Sequence, residues 1–82
     1  PKSKYAGMKT GQIRDLANRG DTSAMNEIGY RYSTGLGVVK DPALALQWLT
    51  MSAEKGDKNA PLMIARHYIS KSEEPPVKPE AS

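Results

Sequence analysis

The chain has 82 residues, a formal net charge of +3 at pH 7, one histidine and no cysteine. A chain of this size forms one domain that buries roughly 60–65% of its unfolded surface, and without cysteine it has no disulfide or thiolate metal site. The single histidine, His67, argues against a zinc site built by the protein. The sequence has no signal-peptide core and no run of about 18 apolar residues, which favours a cytoplasmic protein.

The first two predicted helices are bounded by glycine and aspartate. One spans about 10–19, where apolar residues keep a helical spacing, and ends at Gly20. The next spans about 22–34, because the side chain of Asp21 can accept hydrogen bonds from the free amides at its start. Gly35 can adopt the left-handed conformation that ends a helix.

The next two predicted helices both carry proline near the start. The third has Asp41 as its cap and Pro42 in its first turn, and it continues to about residue 55. The fourth is predicted to begin near Asn59, since that start places Pro61 in the first turn, where no amide is needed. It continues to about residue 70, and the chain is therefore predicted to be all-α with about four helices.

The two ends of the chain are predicted to be flexible. Residues 1–9 are basic, and residues 72–82 hold three prolines and three glutamates with one valine. Such a tail cannot bury enough apolar surface to offset the entropy lost on ordering. We therefore expect a flexible N-terminus at 1–9, a repeat domain at 10–71 and a disordered tail at 72–82.

An internal repeat is the most informative feature of the sequence. Residues 19–32 return at 55–68 with an offset of 36 residues, and Gly, Asp, Ala, Ile and Tyr are in register. In the first copy Ala24, Ile28 and Tyr32 recur every four residues, which predicts a buried stripe on a helix. Repeats of this length are supersecondary units that stack on their neighbours, so they usually present a binding surface.

A known family shares this pattern of a helix, a glycine loop and a second helix. The residues that carry the resemblance are Ala24, Ile28, Gly29, Tyr32, Gly35, Gly37, Val38, Lys40, Asp41, Ala45, Trp48, Ala53, Glu54, Lys55 and Gly56. They resemble the Sel-one-like repeats, which are relatives of the tetratricopeptide repeats. About one full repeat, residues 21–56, is present with half a repeat on either side. The resemblance implies a short right-handed α-solenoid of antiparallel helix hairpins. The first helix of each hairpin, which we call the first-type helix, lines a concave surface for protein recognition.

Catalytic residues are not evident in this sequence. No serine has a plausible base beside it, since His67 is the sole histidine, and the acidic pair Glu73 and Glu74 lies in the tail. By register His67 matches Arg31, on the helix face away from the buried stripe, so we expect it on the solvated surface. We therefore predict a non-enzymatic protein that has no cofactor.

The face beside the buried stripe is where we expect a partner to bind. Three positions that are polar in the first copy are apolar in the second. They are the pairs Asn26 and Leu62, Glu27 and Met63, and Ser33 and Ile69. This is unexpected, because a terminal repeat usually has a polar outer face. The predicted partner-binding residues are Asn26, Tyr30, Ser33, Leu62, Met63, Arg66 and Ile69.

Several occupants and functions fit this surface. A partner protein, a second copy of the chain in a homodimer through the last helix, or the tail folding back through Val77 could cover it. The leading interpretation is a small adaptor, scaffold or inhibitor that binds another protein. A nucleic-acid-associated protein is an alternative that would use the scattered basic residues Arg14, Arg19, Arg31, Lys58 and Arg66. A structural fragment of a longer repeat array is a third possibility.

Overall fold

A computed structural model describes residues 4–73 of the chain, with side chains described as far as residue 69. Within that part every regular element is a helix, which confirms the all-α prediction. The helices are α1 (Thr10–Asn18), α2 (Thr22–Thr34), α3 (Pro42–Glu54) and α4 (Ala60–Glu73). Each helix packs on the next along the chain, and α2 also contacts α4. The right-handed solenoid stays a prediction.

The predicted aspartate caps at the starts of α2 and α3 are confirmed. The Asp21 carboxylate accepts a hydrogen bond from the Ala24 amide at 3.0 Å, and the Asp41 carboxylate accepts one from the Leu44 amide at 3.1 Å. At the other end of α2, Gly35 has a φ of 81°, a conformation that disfavours any residue with a Cβ atom. Short-range signals in the sequence therefore fix both ends of α2.

The start of α4 agrees with the prediction, although its side-chain cap is a different residue. The Asn59 carbonyl accepts a hydrogen bond from the Met63 amide at 3.1 Å, which makes Pro61 part of the first turn. The side-chain acceptor is Asp57, whose Oδ1 atom receives the amides of Asn59 at 2.8 Å and Ala60 at 3.1 Å. The predicted tail of residues 72–82 falls mostly at 74–82, outside the described residues.

The core is built mainly from α1, α2 and α3. One cluster joins the first two helices and the segment before them, and its members are Tyr5, Ile13, Ala17, Ala24, Met25 and Ile28. On α3, Ala45, Leu49 and Ser52 are buried. The predicted stripe of α2 is thus confirmed at Ala24 and Ile28. Full burial of one large apolar side chain, such as that of Ile28, stabilises the fold by about 1.5–3 kcal/mol.

Gly29 marks the closest approach of α2 to α3. A Cβ atom at this position would lie 2.7 Å from Leu49 Cγ and 2.8 Å from Leu49 Cδ2, both far inside van der Waals contact. Leu49 is itself only 2% exposed, so it has little room to move. The glycine therefore serves packing in the helix, not flexibility.

The segment before α1 is packed, in contrast to the flexible N-terminus expected for residues 1–9. Tyr5 is only 4% exposed, and its hydroxyl donates a hydrogen bond of 2.7 Å to Asp21 Oδ2. The Met8 amide donates to the Tyr5 carbonyl at 2.9 Å and closes a turn. From Lys4 onward this segment is therefore part of the folded domain, because its tyrosine joins the core.

Arg31 lies under this segment, where the sequence predicted a solvated face. It is 5% exposed, and it donates from Nη2 to the Tyr5 carbonyl at 2.9 Å and from Nη1 to Thr10 Oγ1 at 3.1 Å. Its Nε atom lies 3.0 Å from Glu27 Oε2 in a nearly buried ion pair. The prediction failed because it had no information on what packs over the outer face of α2.

Candidate functional site

A groove lies between α2 and α4, with α3 at its base. It encloses about 220 Å³. We call it the α2–α4 groove, and its lining residues are Tyr30, Ser33, Thr34, Leu49, Met63, Arg66 and His67. It exists because α4 packs mainly on α3 and only lightly on α2. The two first-type helices thereby form the walls of one concave site.

The lining of the groove combines an apolar base with a cationic edge. Leu49 is 2% exposed and Met63 is partly buried, whereas Tyr30 is 47% exposed and Arg66 is exposed. None of the lining residues is acidic. An apolar group could therefore enter between Leu49 and Met63, while the Arg66 guanidinium stays available to an anionic acceptor.

His67 lies in the wall of the groove and not on the solvated surface that we expected. It is partly buried, and its ring meets the Tyr68 ring edge to face, with centroids 5.5 Å apart and planes at 83°. The prediction was wrong because the helix face away from the buried stripe of α4 turns toward α2. His67 is thus a groove residue, and its packing against an aromatic ring gives no catalytic arrangement by itself.

The groove brings together four of the seven predicted partner-binding residues. They are Tyr30, Ser33, Met63 and Arg66. Leu62 and Ile69 are 61% and 56% exposed, but they lie outside the groove, on another face of α4. The predicted surface is therefore divided between two separate faces.

Asn26, the seventh predicted residue, is buried and faces the joint between the repeats. It is 8% exposed, and its Nδ2 atom donates a hydrogen bond of 2.9 Å to Asp57 Oδ1. Its Oδ1 atom is buried without a hydrogen-bond partner among the described residues. The prediction that Asn26 contacts a partner is therefore corrected, because the amide already binds the carboxylate of the next repeat.

Asp57 is the centre of that joint. Besides Asn26 it accepts a hydrogen bond from Thr22 Oγ1 at 2.8 Å, and the Asn26 hydrogen bond is the main cause of a pKa below the usual value for this carboxyl. Its register mate Asp21 accepts from the Tyr5 hydroxyl, which likewise lowers the pKa of Asp21. Thr22 and Asn26 of α2 donate to Asp57, and Tyr5 donates to Asp21 in the same way. Tyr5 thus takes the role at the first repeat that α2 takes at the second.

Sequence reasoning missed three residues of the groove, namely Thr34, Leu49 and His67. Thr34 follows Tyr30 by four residues and so shares its helix face, and its hydroxyl donates to the Tyr30 carbonyl at 2.9 Å. That spacing could have identified it. Leu49 carried no such signal, because it was assigned to the core of α3, and only the packing of three helices brings it to the groove.

The basic residues proposed for nucleic-acid binding are partly engaged inside the protein. Arg31 is buried with Glu27, and the Arg19 guanidinium lies 3.6 Å from the Asp15 carboxylate in an exposed pair. In the described part of the chain, the cations therefore do not form the dense stripe that phosphate binding usually requires.

Neither a metal cluster nor a membrane-spanning helix is found among the described residues. No group of three or more histidine, cysteine, aspartate or glutamate side chains there could hold a metal ion. No helix in that part is both long and apolar enough to span a bilayer.

Comparison with known proteins finds a family model that matches part of the chain. The family model of the Sel1 repeat matches residues 22–57, which run from the first residue of α2 to the aspartate before α4. No curated protein and no solved structure matches the chain. The match confirms the resemblance found in the sequence. Sel1 repeats are generally protein-interaction modules and not catalytic units.

Proposed function

We propose that this chain, which matches the Sel1 repeat at residues 22–57, is a small adaptor or inhibitor that binds another protein through the α2–α4 groove. The observation that carries the proposal is the groove itself, in which an apolar base lies beside an exposed arginine. The Sel1 match supports protein binding in general, and the lining of the groove supports this choice of site. We expect the protein to act in the cytoplasm.

The size of the groove favours a protein partner over a small-molecule ligand. Pockets for cofactors and drug-sized ligands enclose roughly 300–1,000 Å³, and this groove encloses about 220 Å³. A space of that size receives one or two side chains of a partner segment. The rest of the segment would then lie across the ring of Tyr30, which is 47% exposed.

The chemistry of the lining defines what the partner should present. An apolar side chain placed between Leu49 and Met63 would contribute about 1.5–3 kcal/mol when fully buried. An aspartate, glutamate or chain-terminal carboxylate nearby would pair with Arg66, a residue type that often dominates binding energy. We therefore expect the partner segment to combine an apolar anchor with an acidic group.

Selection from a library of short random peptides tests this function without a known partner. Peptides selected on the full chain should share an apolar or aromatic residue close to Asp or Glu. Met63→Asp should weaken their binding by about tenfold or more, since it removes an apolar wall and repels an acidic partner. Binding of labelled peptides to the purified variants, followed by fluorescence anisotropy, measures this change.

The matched control is Val39→Asp. Val39 is 87% exposed in the loop between α2 and α3 and outside the groove, so the same chemical change there should leave peptide binding unaltered. Arg66→Gln should weaken acidic peptides specifically and reduce the salt dependence of their binding. If the selected peptides bound the Met63→Asp variant as tightly as the unmodified chain, the groove would not be the binding site.

A further inference from the structure

His67, in the wall of the α2–α4 groove, has a counterpart in the first copy of the repeat. The offset of 36 residues pairs it with Arg31 of α2. Arg31 donates from Nη2 to the Tyr5 carbonyl at 2.9 Å and from Nη1 to Thr10 Oγ1 at 3.1 Å. At this position of the repeat, the side chain of the first-type helix therefore donates hydrogen bonds to the segment that packs in front of it.

The imidazole of His67 keeps its hydrogen-bonding capacity for a group from outside. The residue is partly buried in the groove wall, and its ring contact among the described residues is the edge-to-face contact with Tyr68. No hydrogen bond joins the imidazole to another group in that part of the chain. A donor at the position of Arg31 is thus present in the second copy, and among the described residues it has no acceptor.

The groove lining supplies no negative charge to His67. The residues around the ring are Tyr30 of α2, Leu49 of α3, and Arg66 and Tyr68 of α4. Lys71, four residues further along α4, is also basic. Asp41 at the start of α3 is outside the lining, and its carboxylate accepts the Leu44 amide. An acid that balances a positive charge on this ring within the groove must therefore come from a partner.

The chemistry of histidine makes such a pairing depend on pH. The charge of a histidine side chain changes between about pH 5 and pH 8. The neutral ring has one N–H donor, whereas the protonated ring has two donors and a positive charge. Aspartate and glutamate are ionised over this range, because their reference pKa values are about 3.9 and 4.3. A partner carboxylate can therefore pair with Arg66 throughout the range, and it gains a second cationic donor once His67 is protonated.

We propose that His67 donates to the acidic group of the partner segment and makes its binding in the α2–α4 groove stronger at mildly acidic pH. This inference rests on the proposed function of the groove and assigns its specificity to one side chain. Because the bound state takes up a proton at this ring, affinity rises as the pH falls from about 7.5 to about 5.5. The fold stays intact over that interval, since hydrogen bonds lower the pKa of Asp21 and of Asp57 and keep both carboxylates ionised.

The probes are the library peptides selected on the full chain at the higher of these two pH values, each labelled with tetramethylrhodamine. Each peptide is made with its acidic residue and in a matched amide form, with Asn for Asp or Gln for Glu. The unmodified chain should bind the acidic form about three- to fivefold more tightly at the lower pH, which is the effect of one partly exposed ion pair. The amide form should bind equally at both pH values, because it brings no charge to the ring.

A variant of the sole histidine in the sequence supplies the second test. The His67→Gln chain should bind the acidic peptides with one affinity at both pH values, because glutamine keeps a donor and takes up no proton. Val39→Asp is the matched control, since Val39 is 87% exposed and outside the groove, and it should keep the full pH response. Circular dichroism at both pH values checks that the variants are folded.

The outcomes separate this proposal from the function on which it rests. If Met63→Asp abolishes peptide binding but the unmodified chain binds equally at both pH values, the role of His67 is refuted and the groove remains the site. A pH response that persists with the amide peptides, or in a folded His67→Gln chain, also refutes it. If no peptide is selected, or if Met63→Asp has no effect, the proposed function fails and this proposal fails with it. The amide peptides test the unmodified chain, so the result does not depend on any variant.

Discussion

Replacing Asp57 with alanine is expected to destabilise this protein strongly, because the side chain joins two repeats. Its carboxylate accepts from Thr22 Oγ1 at 2.8 Å and from Asn26 Nδ2 at 2.9 Å, and so it joins the first repeat to the second. It also accepts the amides of Asn59 and Ala60 at the start of α4. The substitution removes all of these interactions and leaves the buried Asn26 amide without its acceptor.

The magnitude can be built from these contacts. Loss of a side-chain cap at a helix start costs about 1 kcal/mol. A hydrogen bond to a charged group contributes about 1.5–3 kcal/mol, and the lower end applies to both because Asp57 is only partly buried. The expected loss is therefore about 4 kcal/mol, a large share of the roughly 4–12 kcal/mol expected for a folded chain of this length.

Urea unfolding followed by circular dichroism at neutral pH measures this loss. With a urea slope of about 1 kcal/mol/M for a small domain, the midpoint should fall by about 4 M. Asp21→Ala is the matched comparison at the same repeat position. Its carboxylate accepts the Tyr5 hydroxyl and the Ala24 amide, so the expected loss is smaller, about 2 kcal/mol. Asp15→Ala, at an exposed pair with Arg19, should cost less than about 0.5 kcal/mol.

The pH dependence supplies an independent check. The folded state lowers the pKa of Asp57, chiefly through the Asn26 hydrogen bond, so the ionised form stabilises the fold. That contribution is complete above the unfolded pKa of about 3.9 and is lost as the pH falls through the lower folded value. The difference between the unmodified chain and Asp57→Ala should therefore shrink below about pH 4. A loss under about 1 kcal/mol at neutral pH, or a difference that persists in acid, would refute the role assigned to this joint.

Three further predictions test the packing of α2. Gly29→Ala should destabilise the fold by about 1–2 kcal/mol in urea unfolding, because the new Cβ atom would clash with Leu49. The gain in helix propensity offsets only part of that strain. An unchanged urea midpoint would show that α3 can shift to make room for the Cβ atom. Tyr5→Phe should cost about 1–1.5 kcal/mol by removing the hydrogen bond to Asp21 while keeping the ring, and equal stability of the two chains would mean that the bond contributes nothing. Gly35→Ala should cost about 1 kcal/mol in thermal unfolding because φ is 81° there, whereas a stabilised variant would contradict the left-handed cap.

Most of the helical framework could be predicted because its signals are local. Asp21 and Asp41 cap the amides three residues ahead of them, and Gly35 takes a conformation that other residues disfavour. These interactions involve neighbours in the chain, so the residue order is sufficient to find them. The repeat offset added the pairing of positions between α2 and α4.

The candidate sites could be predicted only in part. Tyr30 and Met63 were assigned to a partner surface from the helical period and the differences between copies, and both line the groove. The same reasoning placed Asn26 on that surface, although it is buried against Asp57. Position on a helix face shows which residues lie together, but it does not show which neighbouring element covers them.

The sequence by itself determined the helices, their caps and the repeat, because these depend on backbone propensity and on spacing along one helix. Tertiary structure alone decided that Tyr5 completes the core and buries Arg31, and that α4 leaves a groove beside α2. It also decided that Leu62 faces away from that groove. The physical reason is that burial depends on contacts between segments distant in the chain, and these contacts exist only once the helices have packed.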